Sequence, residues 1–209
     1  ETGMIVPLGD WVLEHAAAEV AAWQARFRRP IDLAVNVSAR QLDRAGWPAG
    51  VAAILERSGL PATNLHLELT ETALFESGTS TVGAFRGLRA QGVHIGIDDF
   101  GTGYSSMSYL RDFPVDFLKI DRAFVSELDS RSRESTAIVE AILALGRALG
   151  LRTVAEGVET AAQAERLAAL DCDLAQGYLL GRPMPAAEFE AVLAAQPTSL
   201  AGMRAYGTG

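Results

Sequence analysis

The sequence predicts an α/β fold in which a parallel sheet is covered by helices, closed into a barrel or laid open as a doubly wound sheet. Three observations carry that prediction. Short apolar runs of strand length alternate with segments of helical periodicity along nearly the whole chain. Each of the six runs carries a polar or charged residue near its C-terminal end. The chain has 209 residues and 49% hydrophobic content, ample for a sizeable core.

Taken in order, residues 1–7 read as the tail of something that begins earlier, because a helix follows with no strand before it. Asp10 is the expected N-cap, and Leu13, Ala16, Ala17, Val20, Trp23 and Phe27 mark one helical face that ends near Pro30. The strand 33–37 follows, then a helix over 48–58 closed by Gly59. A strand at 65–69 leads to a helix over 81–91, which Gly92 stops before the strand 93–97. A short helical piece at 105–111 precedes the strand 116–120. Ile138, Ala141, Ile142, Leu145 and Leu149 form the apolar stripe of the next helix, with Gly150 past its end. Strands at 153–155 and 174–180 alternate with helices at 161–170 and 186–194. Residues 1–195 are expected to form the domain. Residues 196–209, rich in Pro, Gly, Ser and Thr without periodicity, are expected to be a flexible tail.

Strand side chains alternate faces, so parity sorts them. His66, Glu68 and Thr70 share one face and Leu65, Leu67 and Leu69 the other; the same test groups Asn36 with Ser38, Lys119 with Asp121, and sets Asp98, Glu156 and Gln176 at strand ends. Parallel strands bring such ends to one side, where α/β barrels place their active sites. Asn36, Glu68, Asp98, Asp99, Lys119, Glu156 and Gln176 would then line one bowl. Oxygen donors without Cys, and with no His at a strand's functional end, suit Mg²⁺ or Mn²⁺ over Zn²⁺. Adjacent Asp98 and Asp99 would serve two metals roughly 3.5–4 Å apart, an arrangement fitted to phosphoryl chemistry. Lys119 among these acids would hold the attacking water or the phosphate; its alternative role is a structural salt bridge inside the barrel.

Composition narrows the partners. A net charge of −8 and a pI near 4.9 argue against a protein that grips the backbone of DNA or RNA. The lone Cys172 has no disulfide partner and reads as a buried small residue, and no apolar stretch is long enough for a membrane span, which points to a cytoplasmic setting without membrane contact. His15 reads as a surface or packing residue and His66 as a satisfied interior one; His94 begins a strand and is given no role, and Trp11, Trp23 and Trp47 read as core or helix-packing residues. The Gly101-Thr102-Gly103 turn lacks the lysine of a phosphate loop.

With these stretches in place the chain resembles the EAL domain family of bacterial cyclic di-GMP phosphodiesterases. The matching segments are Asn36-Val37-Ser38-Ala39-Arg40-Gln41-Leu42, Glu68-Leu69-Thr70-Glu71, Asp98-Asp99-Phe100-Gly101-Thr102-Gly103, Leu118-Lys119-Ile120-Asp121, Ala155-Glu156-Gly157-Val158-Glu159 and Gln176-Gly177-Tyr178. The resemblance implies a modified TIM (β/α)8 barrel that hydrolyses cyclic di-GMP to linear pGpG with Mg²⁺ or Mn²⁺. It implies Asn36, Glu68 and Asp98 as metal ligands, Asp99 for the second metal, Lys119 for the attacking water, Glu156 for metal or water, and Gln176 for the substrate network. Asp121, Ser38, Arg40 and Glu159 would contact substrate, and Glu71 would anchor the loop over 72–79, tied in the family to metal binding and dimerisation. A homodimer and an upstream sensory or GGDEF domain are expected with it. The Glu-Ala-Leu tripeptide that names the family does not occur in the sequence. The expectation is that it lies upstream of Glu1, on two further strands that would bring the six to eight. The other functional class is a non-catalytic cyclic di-GMP receptor or interaction module, which the missing glutamate would favour.

Overall fold

A computed structural model describes residues 3–76, 79–102, 110, 113–130, 133–195 and 204–205. The chain divides into two compact units, Glu1–Asp98 with Gly103–Asp116, and Asp99–Thr102 with Phe117–Gly209.

The first unit opens with α1 (Ile5–Phe27), which starts five residues before the expected cap. Pro7 stands in its first turn, where a missing N–H costs no helical hydrogen bond, so nothing delays the helix to Asp10. Asp10 instead pairs with Arg44 at 2.5 Å. Of the predicted face, Leu13, Ala17 and Val20 are buried. β1 (Leu33–Asn36), α2 (Ala39–Leu42), α3 (Trp47–Ser58), β2 (Leu65–Thr70), α4 (Glu71–Glu76), α5 (Thr79–Ala90) and β3 (His94–Phe100) follow. β1, β2 and β3 are parallel neighbours, with Asn36 opposite Glu68 and Thr70 opposite Asp98. Leu65, Leu67, Leu69, Ile95 and Ile97 fill the sheet's interior, and Phe85 of α5 closes against it, 6.5 Å from the ring of Trp47 and 5.8 Å from that of Phe113. Trp11 is exposed, its ring tilted against that of His15 with centroids 4.1 Å apart, where packing was expected. Most of the expected 72–79 loop is helix α4, with Thr70 Oγ1 accepting the Ala73 N–H at its start. The expected 105–111 helix lies outside the described residues except Leu110, which is helical.

The second unit contains β4 (Phe117–Ile120), α6 (Arg122–Ser126), a 3₁₀ turn (Glu127–Ser130), α7 (Arg133–Leu149), β5 (Arg152–Ala155), α8 (Ala161–Ala169), β6 (Leu174–Ala175), α9 (Ala186–Ala195) and β7 (Arg204–Ala205). All four strands run parallel in chain order. The face α7 buries is Ser135, Val139, Ile142, Leu143 and Gly146; Ile138, Ala141 and Leu149 of the expected stripe are exposed and Leu145 is half-buried. Small residues take the packed side because the helix lies close on the sheet: a Cβ on Gly146 would meet Thr153 Cγ2 at 2.7 Å. β6 stops at Ala175, five residues short of the expected strand, because the chain turns at Gly177 to meet Val158. Among the described residues no helix is long and apolar enough to cross a membrane.

Candidate functional site

In the second unit, β4 and β5 place the two most constrained charges. Lys119 lies inside β4 and is 3% exposed; Glu156 follows the last residue of β5, and its N–H donates to Ile120 C=O at 3.1 Å, continuing the ladder one step. Lys119 Nζ is 2.6 Å from Glu156 Oε1. An ammonium this deep is held by its carboxylate, since an unpaired buried charge costs several kcal/mol by effective desolvation. Asp99 is brought in by an unusual backbone: its φ is +55°, a region that Asp tolerates better than most residues, and Thr102 donates to its C=O from both N (3.3 Å) and Oγ1 (2.9 Å). Gly101 follows at φ +99°, where a Cβ would stand 3.1 Å from Phe124 and 3.2 Å from Ile142. The turn thereby sets carboxylate oxygens of Asp99 and Glu156 within 4.8 Å of one another. Two carboxylates so close repel unless a cation lies with them. Lys119 supplies one such charge, and the oxygen-only donor set fits a hard divalent ion as a second.

Glu156 and Gln176 stand on two loops joined backbone to backbone. Val158 N–H donates to Gln176 C=O at 3.0 Å, Leu179 N–H donates to Val158 C=O at 3.0 Å, and Gln176 N–H donates to Ala155 C=O at 2.8 Å. Gly177 makes this approach possible, because a Cβ there would lie 2.2 Å from both the N and O of Val158. Gly157, at φ +67°, carries the stem of Arg122 against its Cα; a Cβ would be 2.4 Å from Arg122 Cγ. Arg122 Nη2 reaches Glu159 at 3.5 Å, both largely exposed. Arg122 is absent from the sequence expectations, and Gly157 and Gly177 stand there only inside matched segments, since a missing Cβ carries no periodicity to find. Asp121, expected at the substrate, caps α6 by accepting the Ala123 N–H at 2.7 Å. Gln176 is exposed.

In the first unit, register makes Asn36 and Glu68 neighbours at the C-terminal ends of β1 and β2. Glu68 is 3% exposed, Glu71 5% and Asp98 9%, a concentration of buried acid that a purely structural sheet would avoid. Ser38 is engaged in a capping box, its Oγ donating to Gln41 Oε1 at 2.9 Å while its N–H donates to the same oxygen at 3.1 Å. Arg40 is exposed. His66 is buried as expected, 4.9 Å from the ring of His94 and 3.8 Å from Asp32.

The EAL domain model matches residues 1–183. The chain is 46% identical over 194 residues to the bifunctional diguanylate cyclase/cyclic di-GMP phosphodiesterase MucR of Pseudomonas aeruginosa, covering 93% of this chain and 28% of MucR. It is 43% identical over 193 residues to the cyclic di-GMP phosphodiesterase NbdA of the same organism, covering 92% of this chain and 24% of NbdA. The chain thus spans about a quarter of these relatives. The solved structure of the MucR phosphodiesterase in complex with c-di-GMP superposes with a TM-score of 0.85 at 46% identity, over 90% of this chain and 76% of that one. Parallel strands alternating with helices are consistent with part of a (β/α)8 barrel, and the chain belongs to the EAL domain family.

Proposed function

We propose that this chain carries the centre that hydrolyses cyclic di-GMP to linear pGpG with Mg²⁺ or Mn²⁺. The observation that supports the reading best is the buried Lys119 ammonium 2.6 Å from Glu156, with Asp99 beside that carboxylate. The names of MucR and NbdA support the reaction, and the MucR complex supports the ligand. Asn36, Glu68 and Asp98 would hold the first metal and Asp99 the second; bound there, the ions would polarise the phosphate and lower the pKa of a water. Lys119 would fix the oxygen of the attacking water, and Glu156 would orient it or accept its proton. The new P–O bond forms as the bond from phosphorus to one 3′ oxygen breaks, and that oxygen leaves with a proton. Gln176, Asp121, Ser38, Arg40 and Glu159 would meet the substrate, and Glu71 would steady the segment that follows it.

The wider setting belongs to the same reading: a homodimer in the bacterial cytoplasm, attached to a sensory or GGDEF domain. MucR's name, with its diguanylate cyclase activity, and the quarter of its length matched here support an attached domain. The test is an assay for linear dinucleotide with the purified chain. Product should form with Mg²⁺ or Mn²⁺, cease with EDTA, and be absent in Lys119→Ala. Tight binding of cyclic di-GMP with no turnover under any metal would assign the receptor role instead.

A further inference from the structure

At the other end of β3 from its aspartates, the first unit contains a cavity of 470 Å³. Arg86 and Arg89, one turn apart on α5, His94 at the first position of β3, and Asp116 line it together with the apolar surface of Ala90 and Pro114. The charges do not cancel. Asp116 is committed to Arg89, which grips it through Nε at 3.1 Å and Nη2 at 2.6 Å, and it also accepts the Ile95 N–H at 2.9 Å. His94 Nδ1 stands 3.9 Å from the same carboxylate. Arg86 has no ion-pair partner among the described residues. Among the described residues one guanidinium is thus left over in a concave site of a chain whose net charge is −8.

We propose that this cavity is a binding site for a small organic phosphate, separate from the hydrolytic centre. Three features set that chemistry. The Arg86 guanidinium presents paired N–H donors that match two phosphate oxygens, and Arg89, neutralised and fixed by Asp116, forms an already ordered wall beside it. His94 supplies a further ring nitrogen at the rim. The volume lies in the range of about 300–1,000 Å³ that small ligands occupy, far larger than a bare phosphate needs, and Ala90 with Pro114 offers apolar surface for the ligand's body. A phosphate ester of mononucleotide size meets all three.

GMP, guanosine and inorganic phosphate are the probes, titrated into the chain in EDTA so that no metal draws phosphate elsewhere, with amide chemical shifts as the readout. GMP should shift Gly92, Val93 and His94 in a saturable way and leave Glu156 and Gly157 in place. Guanosine and inorganic phosphate should each bind at least about 10-fold more weakly. Arg86→Ala should weaken GMP by about 10-fold or more. Its side chain is exposed, so the fold should tolerate the change, and hydrolysis of cyclic di-GMP should be unaltered. The proposal is overturned if those three amides do not move, if guanosine or inorganic phosphate binds as well as GMP, or if Arg86→Ala binds GMP as the parent does.

Discussion

Lys119 Nζ and Glu156 Oε1 are 2.6 Å apart, on residues at the C-terminal side of adjacent parallel strands, and the lysine side chain is 3% exposed. Neither partner can be removed without leaving the other's charge in a poorly hydrated place. Loss of one member of a buried pair typically costs about 3–5 kcal/mol, whereas replacing both by apolar groups can be neutral. Lys119→Ala is therefore expected to lower both stability and turnover, the latter by about 100-fold or more as for loss of a group that positions a reacting proton or water. The double variant Lys119→Met/Glu156→Leu separates the two effects. Denaturant unfolding should show stability recovered towards the parent, while linear dinucleotide production stays absent; recovery of turnover would contradict the role given to the pair.

The joint between the Glu156 and Gln176 loops predicts a second result. A Cβ on Gly177 would lie 2.2 Å from Val158 N and O, contacts that no side-chain rotation relieves. Gly177→Ala must push the loops apart and lengthen the Val158-to-Gln176 hydrogen bond. Forced overpacking of this kind costs about 1–3 kcal/mol. Both loops carry proposed site residues, so kcat should fall further than thermal stability alone would explain. Comparison of kcat at a temperature where both proteins are fully folded makes the check; equal kcat values would show that the joint does not position the site.

Much of this was legible beforehand, and the parts that were not have a common cause. Alternation of apolar and helical segments located the strands, and parity found Asn36, Glu68, Asp98, Lys119 and Glu156 at the strand ends, because a polar residue stands out against an apolar run. The stripe on α7 was misread because large apolar residues attract attention, while close packing of helix on sheet selects Ser135 and Gly146. The length of β6 was misread for a related reason: Tyr178, Leu179 and Leu180 look like strand, yet all three are exposed once the chain turns at Gly177. Contacts made through absent atoms leave no hydrophobic signature.

Thr160 tests the frame around the site without touching the chemistry. Its Oγ1 accepts the Gln163 N–H at 3.2 Å and donates to Asp129 Oδ2 at 2.8 Å, and Gln163 Oε1 accepts the Thr160 N–H at 3.1 Å. Thr160→Ala breaks this capping box and should cost about 1 kcal/mol, with Thr160→Ser retaining most of it. Activity at a permissive temperature should be unchanged in both, so a large loss of kcat in Thr160→Ala would mean that α8 positions the Glu156 loop more directly than its contacts indicate.

Cys172 gives the pH dependence. Burial pushes its thiol pKa up, and the neighbouring Asp173 charge adds to the rise; hydrogen bonds with Thr153 and the backbone of Leu174 and Ala155 oppose it. The native state therefore holds the thiol proton more tightly than the unfolded chain, whose cysteine titrates near 8.5. Below about pH 8.5 both states are protonated and this stabilising contribution is fully present. As pH rises from there towards the native pKa, only the unfolded state loses its proton, so the contribution is lost and stability falls. Unfolding free energy measured from pH 7 to 10 should decline with a slope that Cys172→Ala reduces. The thiol should also resist alkylation at pH 8 until denaturant is added, because the reactive thiolate is scarce and the residue is 6% exposed. Rapid labelling of the native protein, or an unchanged slope in Cys172→Ala, would show that the site opens more readily than its packing against Thr153 and Leu174 implies.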